Sequence, residues 1–154
     1  MTIIDTRSKL SYVGAGIILT RQDANSTKYL LLKGRETGVW SFSKGHPELH
    51  DKETPLRTAV RETFEETGLV AGVDYDIMGD SIRFVKRPYW VGIVKSSQPV
   101  KVCRNEHSVA AWFTWEEICL LRANTDVRMW IKKSRGLNGA FMRFSSAPQS
   151  LSLL

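Results

Sequence analysis

Thr54-Pro55-Leu56-Arg57-Thr58-Ala59-Val60-Arg61-Glu62-Thr63-Phe64-Glu65-Glu66-Thr67-Gly68-Leu69 is the stretch from which the fold can be read outward. Thr54 suits an N-cap, and Pro55 fits the first helical position, where a missing N–H costs nothing. Gly68 suits the left-handed residue that ends a helix. The spacing therefore predicts a helix between Thr54 and Gly68. At 100° per residue Leu56, Ala59, Val60, Thr63 and Thr67 share a face, widened by Phe64, that should pack on a sheet. Glu62, Glu65 and Glu66, at i, i+3 and i+4, are expected to crowd a different side.

That acidic side works against the helix. Glu62 and Glu66 repel as a like-charged i, i+4 pair, costing about 0.2–0.5 kcal/mol. Glu65 and Glu66 also sit near the helix C-terminus, where the dipole disfavours anions by about 0.3–1 kcal/mol each. Arg61, four residues before Glu65, relieves one of them; the rest calls for another cation. Three convergent carboxylates suit a hard divalent ion such as Mg²⁺ or Mn²⁺, which takes oxygen ligands and bridges them to phosphates.

The surroundings describe one domain. The chain has 154 residues, 42% hydrophobic and 25% charged, which suits a single core and argues against disorder. No apolar run approaches the roughly 18 residues a bilayer span needs, so no membrane partner is expected. Asp5, Arg7 and Lys9 interrupt the apolar block of a secretion signal. Cys103 and Cys119 form no Cys-x-x-Cys pair and read as reduced thiols of an intracellular, cytoplasmic or nuclear protein. The net charge of +6 favours polyanionic partners, nucleotides and RNA among them.

Along the chain, residues 13–21 read as a buried strand, 22–27 as a turn, 28–33 as the returning strand and 39–42 as a short strand. Residues 43–54 read as a polar loop. Further strands are expected at 80–85, 89–95 and 110–114, with helices at 115–122 and around 127–133. Strands mixed with helices make an α/β or α+β sandwich. The domain should span residues 1–135, with 136–154 a C-terminal tail.

From Gly45, the sequence Gly45-His46-Pro47-Glu48-Leu49-His50-Asp51-Lys52-Glu53, then seven residues, then Arg61-Glu62-Thr63-Phe64-Glu65-Glu66-Thr67-Gly68-Leu69, resembles the Nudix box, Gly-x5-Glu-x7-Arg-Glu-U-x-Glu-Glu-x-Gly-U with U bulky and apolar. Two departures stand out. Seven residues, not five, separate Gly45 from Glu53, and the first U position holds Thr63. Trp40-Ser41-Phe42-Ser43-Lys44-Gly45-His46, and Asn105-Glu106-His107 followed by Trp112 and Glu116-Glu117, are similar to the diadenosine tetraphosphate hydrolase branch of that family.

The resemblance implies an α/β/α sandwich with a mixed sheet, and water attack on a diphosphate bridge assisted by Mg²⁺ or Mn²⁺. It implies that Glu62, Glu65 and Glu66 hold metal, with the Lys44 carbonyl and Glu106 completing the site. Catalytic roles fall to Glu65, Glu66, Glu106 and Arg61. Glu53 and Arg61 would brace the loop, with Gly45 and Gly68 serving structure. The histidines His46, His50 and His107 are not expected to act as nucleophile or zinc ligand. Lys44, Lys86 and Arg87 are candidates for phosphate, and Trp40, Tyr89 or Trp90 for stacking a base. Three readings follow: a (di)nucleoside polyphosphate hydrolase, an RNA 5′-end or cap hydrolase, and a Nudix-fold module that binds nucleotides without cleaving them.

Overall fold

Alternation of apolar residues along two long strands organises the molecule. The computed structural model describes residues 12–48, 54–84 and 86–136. β1 (Ala15–Asp23) and β2 (Ser26–Gly34) form an antiparallel hairpin, with Asp23 opposite Ser26. Successive side chains on a strand face opposite ways. Ile18, Tyr29 and Leu31 therefore enter one core cluster, whereas Ile17, Leu19 and Leu30 enter another. Burial on both faces requires helices on both sides of the sheet, and this is the arrangement observed.

Seven strands make one mixed sheet, ordered β3-β2-β1-β6-β5, in which β4 also pairs with β1 and β7 with β2. β6 (Arg87–Val94) lies parallel to β1 and antiparallel to β5 (Tyr75–Phe84). β3 (Trp40–Ser41) and β7 (His107–Phe113) pair antiparallel with β2. The first part of β1 pairs instead with β4 (Ser43–Gly45).

Helix α1 (Pro55–Thr67) covers the face carrying Tyr12, Ile17, Leu19 and Leu30. The opposite face is covered by α2 (Trp115–Ile118) and α3 (Thr125–Gly136). Trp130 of α3 is fully buried, packing edge-on against Tyr29 and Phe42 at centroid distances of 5.0 and 5.4 Å. Asp126, also buried, accepts the Tyr89 hydroxyl at 2.5 Å and ties α3 to β6.

α1 begins and ends where expected. Gly68 has φ +77°, and its N–H donates to the Phe64 carbonyl at 2.8 Å. Thr54 precedes the helix with extended backbone but makes no side-chain cap. The expected packing face needs correction. The buried residues are Thr58, Ala59, Thr63, Glu66 and Thr67, whereas Leu56 is exposed and Phe64 is 53% exposed. Ala59 and Glu66, two turns apart on one line, lie at the centre of the buried face. A carboxylate thus occupies a place where the apolar pattern alone predicts none.

Other boundaries shift for local reasons. Ser43–Gly45 is a strand, not loop, because β1 offers it a free edge. β5 starts at Tyr75; its polar run through Asp80 and Ser81 hides the pattern, and a register shift lies between Met78 and Ile82. α2 is a single turn, closed by a capping box in which Thr114 and Glu117 exchange side-chain-to-backbone hydrogen bonds at 3.2 and 2.8 Å. Val85 and the tail from residue 137 lie outside the described residues, as does Glu53. Among the described residues no helix is long and apolar enough to cross a membrane, and Cys103 and Cys119 are free thiols.

Removing the Trp130 ring empties the centre of the α2–α3 core. Trp130→Ala is expected to lower unfolding free energy by about 3–5 kcal/mol in urea titration. Leu120→Ala, at a side chain 88% exposed, should stay within about 0.5 kcal/mol of the parent.

Candidate active site

β4 and the middle of α1 build the floor of the site. Pairing with β1 places Ser43 opposite Ile17 and Lys44 opposite Gly16, laying their polar groups against the helix. Glu66 meets them there, only 4% exposed. Its Oε1 accepts from Ser43 Oγ and from the Lys44 backbone N–H, both at 2.9 Å. Ser43 Oγ stands 3.1 Å from Thr63 Oγ1, and the Thr67 hydroxyl donates to the Thr63 carbonyl at 2.6 Å. Threonine at the first apolar position of the box therefore joins a buried polar network.

The second Glu66 oxygen, Oε2, faces His107 Nε2 at 3.6 Å. His107 opens β7, and its Nδ1 is buried with no hydrogen-bond partner among the described residues. Donor atoms of Glu66, Glu106 and His107 all lie within 4.8 Å of one another. Burial pushes the Glu66 carboxyl up to about 8 from an ordinary 4.5; the Ser43 and Lys44 hydrogen bonds oppose this, and the Glu62 charge adds to it. Burial also raises Glu62, with Arg61 opposing and the Glu65 and Glu106 charges reinforcing. Burial holds the His107 imidazole below its ordinary 6.5, although the Glu106 charge favours protonation.

Arg61 organises the rim. Its Nη1 contacts Glu62 at 3.0 Å, Glu65 at 3.2 Å and Glu48 at 3.4 Å, while Nη2 donates to the His46 carbonyl at 2.9 Å. One guanidinium thus joins the loop to the acidic helix. Gly45 lies against Glu62: a β-carbon there would displace the Glu62 carboxyl group. The longer stretch between Gly45 and Glu53 leaves this contact in place.

The substrate candidates fare unevenly. Tyr89 is wholly buried, its hydroxyl held by Asp126, and cannot stack a ligand. Nor is Arg87 a free cation, because its guanidinium lies 3.4 Å from the Asp126 carboxylate. Trp40 packs edge-on against Phe113 at 4.9 Å and belongs to the α2–α3 core. Trp90 is half-buried on the α1 side, and Lys86 is exposed. Sequence reasoning missed Ser43, which lay in the presumed loop. It also set aside His107, whose signal was adjacency to Glu106.

A mixed sheet between helices, with carboxylates gathered on the α1 side, makes an α/β/α sandwich. The NUDIX domain family model matches residues 11–133. The mouse bis(5′-nucleosyl)-tetraphosphatase [asymmetrical] is 32% identical over 114 residues, 68% of this chain and 76% of the relative. The pig protein of the same name is 31% identical over 121 residues, 72% and 80% of the two chains. Among solved structures, a C. elegans Ap4A hydrolase binary complex superposes with a TM-score of 0.66 at 20% identity, covering 82% of this chain and 97% of the other. The chain belongs to the Nudix family and is a hydrolase acting on acid anhydrides in phosphorus-containing substrates.

Because the folded-state pKa of Glu66 is raised, its protonated form stabilises the fold. That contribution is complete below about 4.5 and is lost as pH rises through about 8. Protein in excess chelator should therefore lose thermal stability between about pH 4.5 and 8 more steeply than Glu66→Gln does. Equal slopes in differential scanning fluorimetry would remove Glu66 as the cause.

Proposed function

We propose that the chain is a divalent-cation-dependent pyrophosphohydrolase of dinucleoside polyphosphates, acting by water attack on phosphorus. The observation that carries the reading is the buried Glu66 carboxylate, with donor atoms of Glu106 and His107 within 4.8 Å, on a helix bearing the Nudix spacing. Support for the substrate class comes from the relatives named bis(5′-nucleosyl)-tetraphosphatase, at 31–32% identity.

The residues fit a divalent cation. Glu66 is a carboxylate too buried to be hydrated, and an unpartnered imidazole nitrogen lies in the same cluster. Glu62, Glu65, Glu66 and Glu106, with the Lys44 carbonyl, would hold Mg²⁺ or Mn²⁺. When bound, the ion supplies positive charge that offsets the phosphate oxygens of the substrate.

The chain's own groups supply the rest. Glu106 is exposed at the cluster and is the group assigned to take the proton from the attacking water. The water oxygen bonds to phosphorus as the bridging P–O bond breaks, and the displaced phosphate leaves with that oxygen. Lys44 and Lys86 are assigned to the phosphate oxygens, and Trp90 to the base. Ser43 and Arg61 are positioning residues: the first fixes Glu66, the second fixes Glu62 and the loop carbonyl of His46.

The test is turnover, with Mg²⁺ present, of a dinucleoside tetraphosphate, a nucleoside triphosphate, a nucleotide sugar, an inositol pyrophosphate and capped RNA. The dinucleoside tetraphosphate should give the highest kcat/KM, and Glu66→Gln should lower it at least about a hundredfold with folding intact. Faster cleavage of capped RNA would replace this substrate assignment. Nucleotide binding without turnover of anything in the panel would make the chain a binding module.

A further inference from the structure

On the face of the sheet opposite α1, a cavity of about 390 Å³ opens between the end of α2 and the outer side of α3. Its lining is Cys119, Arg128, Ile131, Lys132 and Arg135. Arg128, Lys132 and Arg135 stand at i, i+4 and i+7, so they form one stripe about 10 Å long on the helix. Among the described residues the lining contains no acidic side chain.

Helix electrostatics do not explain the stripe. Lys132 and Arg135 suit the C-terminal half of α3, but Arg128 lies in its first turn, where the dipole favours an anion. Arg128 and Lys132 also repel each other. Asp126, the acidic residue of the first turn, is buried and occupied by Arg87 and Tyr89, so it cannot neutralise them. The segment after α3, residues 137–154, contains Arg143 and no Asp or Glu. Arg128 Nη2 donates to Thr125 Oγ1 at 3.4 Å, and the stripe is open to an anion from solution.

The cavity also limits the size and character of its occupant. Ile131 and the Cys119 sulfur give it an apolar part. The neighbouring cation Lys133 turns away, donating to the Arg83 carbonyl at 3.1 Å and lying 5.4 Å from the Phe84 ring. Arg135 lies over the Trp115 ring at 5.6 Å, closing one end. The cations therefore line one side of an open groove beside Ile131 and Cys119. A volume of this size suits a small organic ligand.

We propose that the α2–α3 cavity is a second ligand site, taking a small phosphorylated molecule with an apolar or aromatic body, such as a nucleoside phosphate. Arg128 and Lys132 bind the phosphate, and Ile131 with Cys119 contacts the body. The two core clusters separate this site from the glutamates, so its occupancy does not require an empty catalytic cleft.

The test is an amide NMR titration of the full chain with ADP, and separately with inorganic pyrophosphate, in excess chelator and at matched ionic strength. ADP should shift Cys119, Arg128, Ile131 and Lys132, and should do so equally in Glu66→Gln. Arg128→Glu combined with Lys132→Glu should weaken that binding at least about tenfold. The same double variant should keep turnover within about twofold, because neither residue touches the α1 side. Shifts confined to α1 and β4, or unchanged ADP affinity in the double variant, would overturn the site. Pyrophosphate binding as tight as ADP would overturn the role of the apolar part. An oligoribonucleotide binding α3 at least about a hundredfold tighter than ADP would replace the small ligand with RNA. The binding readouts do not depend on hydrolysis, so the catalytic reading and this one fail separately.

Discussion

Burial of the Glu66 carboxylate is the constraint around which the α1 side is arranged. An ionised carboxylate in such a place is costly unless several donors meet it. The donors are Ser43 Oγ and the Lys44 N–H, both supplied by β4. β4 reaches them because β1 pairs with β2 only from Thr20 onward, leaving Ala15–Ile17 to pair with β4. Splitting one strand edge between two partners is what brings a short polar strand under α1. The three threonines Thr58, Thr63 and Thr67 complete the polar lining that an aliphatic helix face would lack.

Arg61 performs the complementary task in a wetter setting. It contacts three glutamates and a loop carbonyl, so the acidic helix tolerates its own charge before any ion binds. The pairs to Glu48 and Glu65, whose carboxylates are exposed, contribute little to stability singly, since solvent screens them. Their effect here is positional: Glu62 is held against Gly45, where a larger residue would displace its carboxyl group. Glu62 and Glu66 thereby differ from Glu65, which stays exposed on the Arg61 side.

The opposite face of the sheet follows a different logic. Its centre is aromatic, with Tyr29, Phe42, Phe84, Tyr89 and Trp130 interlocked, and the buried carboxylate Asp126 joins β6 to α3 through Tyr89 and Arg87. These contacts consume Tyr89, a candidate for stacking a base, and Arg87, a candidate for phosphate. They also leave the outer cations of α3 without an acidic partner in their cavity. The net charge of +6 is therefore unevenly used, partly neutralised inside the fold and partly concentrated on α3.

The sequence by itself determined the helix from Pro55 to Thr67, the alternating strands β1 and β2 and the acidic spacing, because each follows from neighbours within two turns or two strand residues. The family resemblance extended that reading to Glu106 and to the mixed sheet. Tertiary structure alone decided that Glu66 faces inward, since burial depends on which side of α1 meets β1 and β4. It alone decided that Tyr89 belongs to the core and that His107 joins the carboxylates: a strand's alternation leaves both faces open, and His107 lies 41 positions along the chain from Glu66. Local chemistry set the elements; the pairing of distant strand edges set which side chains meet.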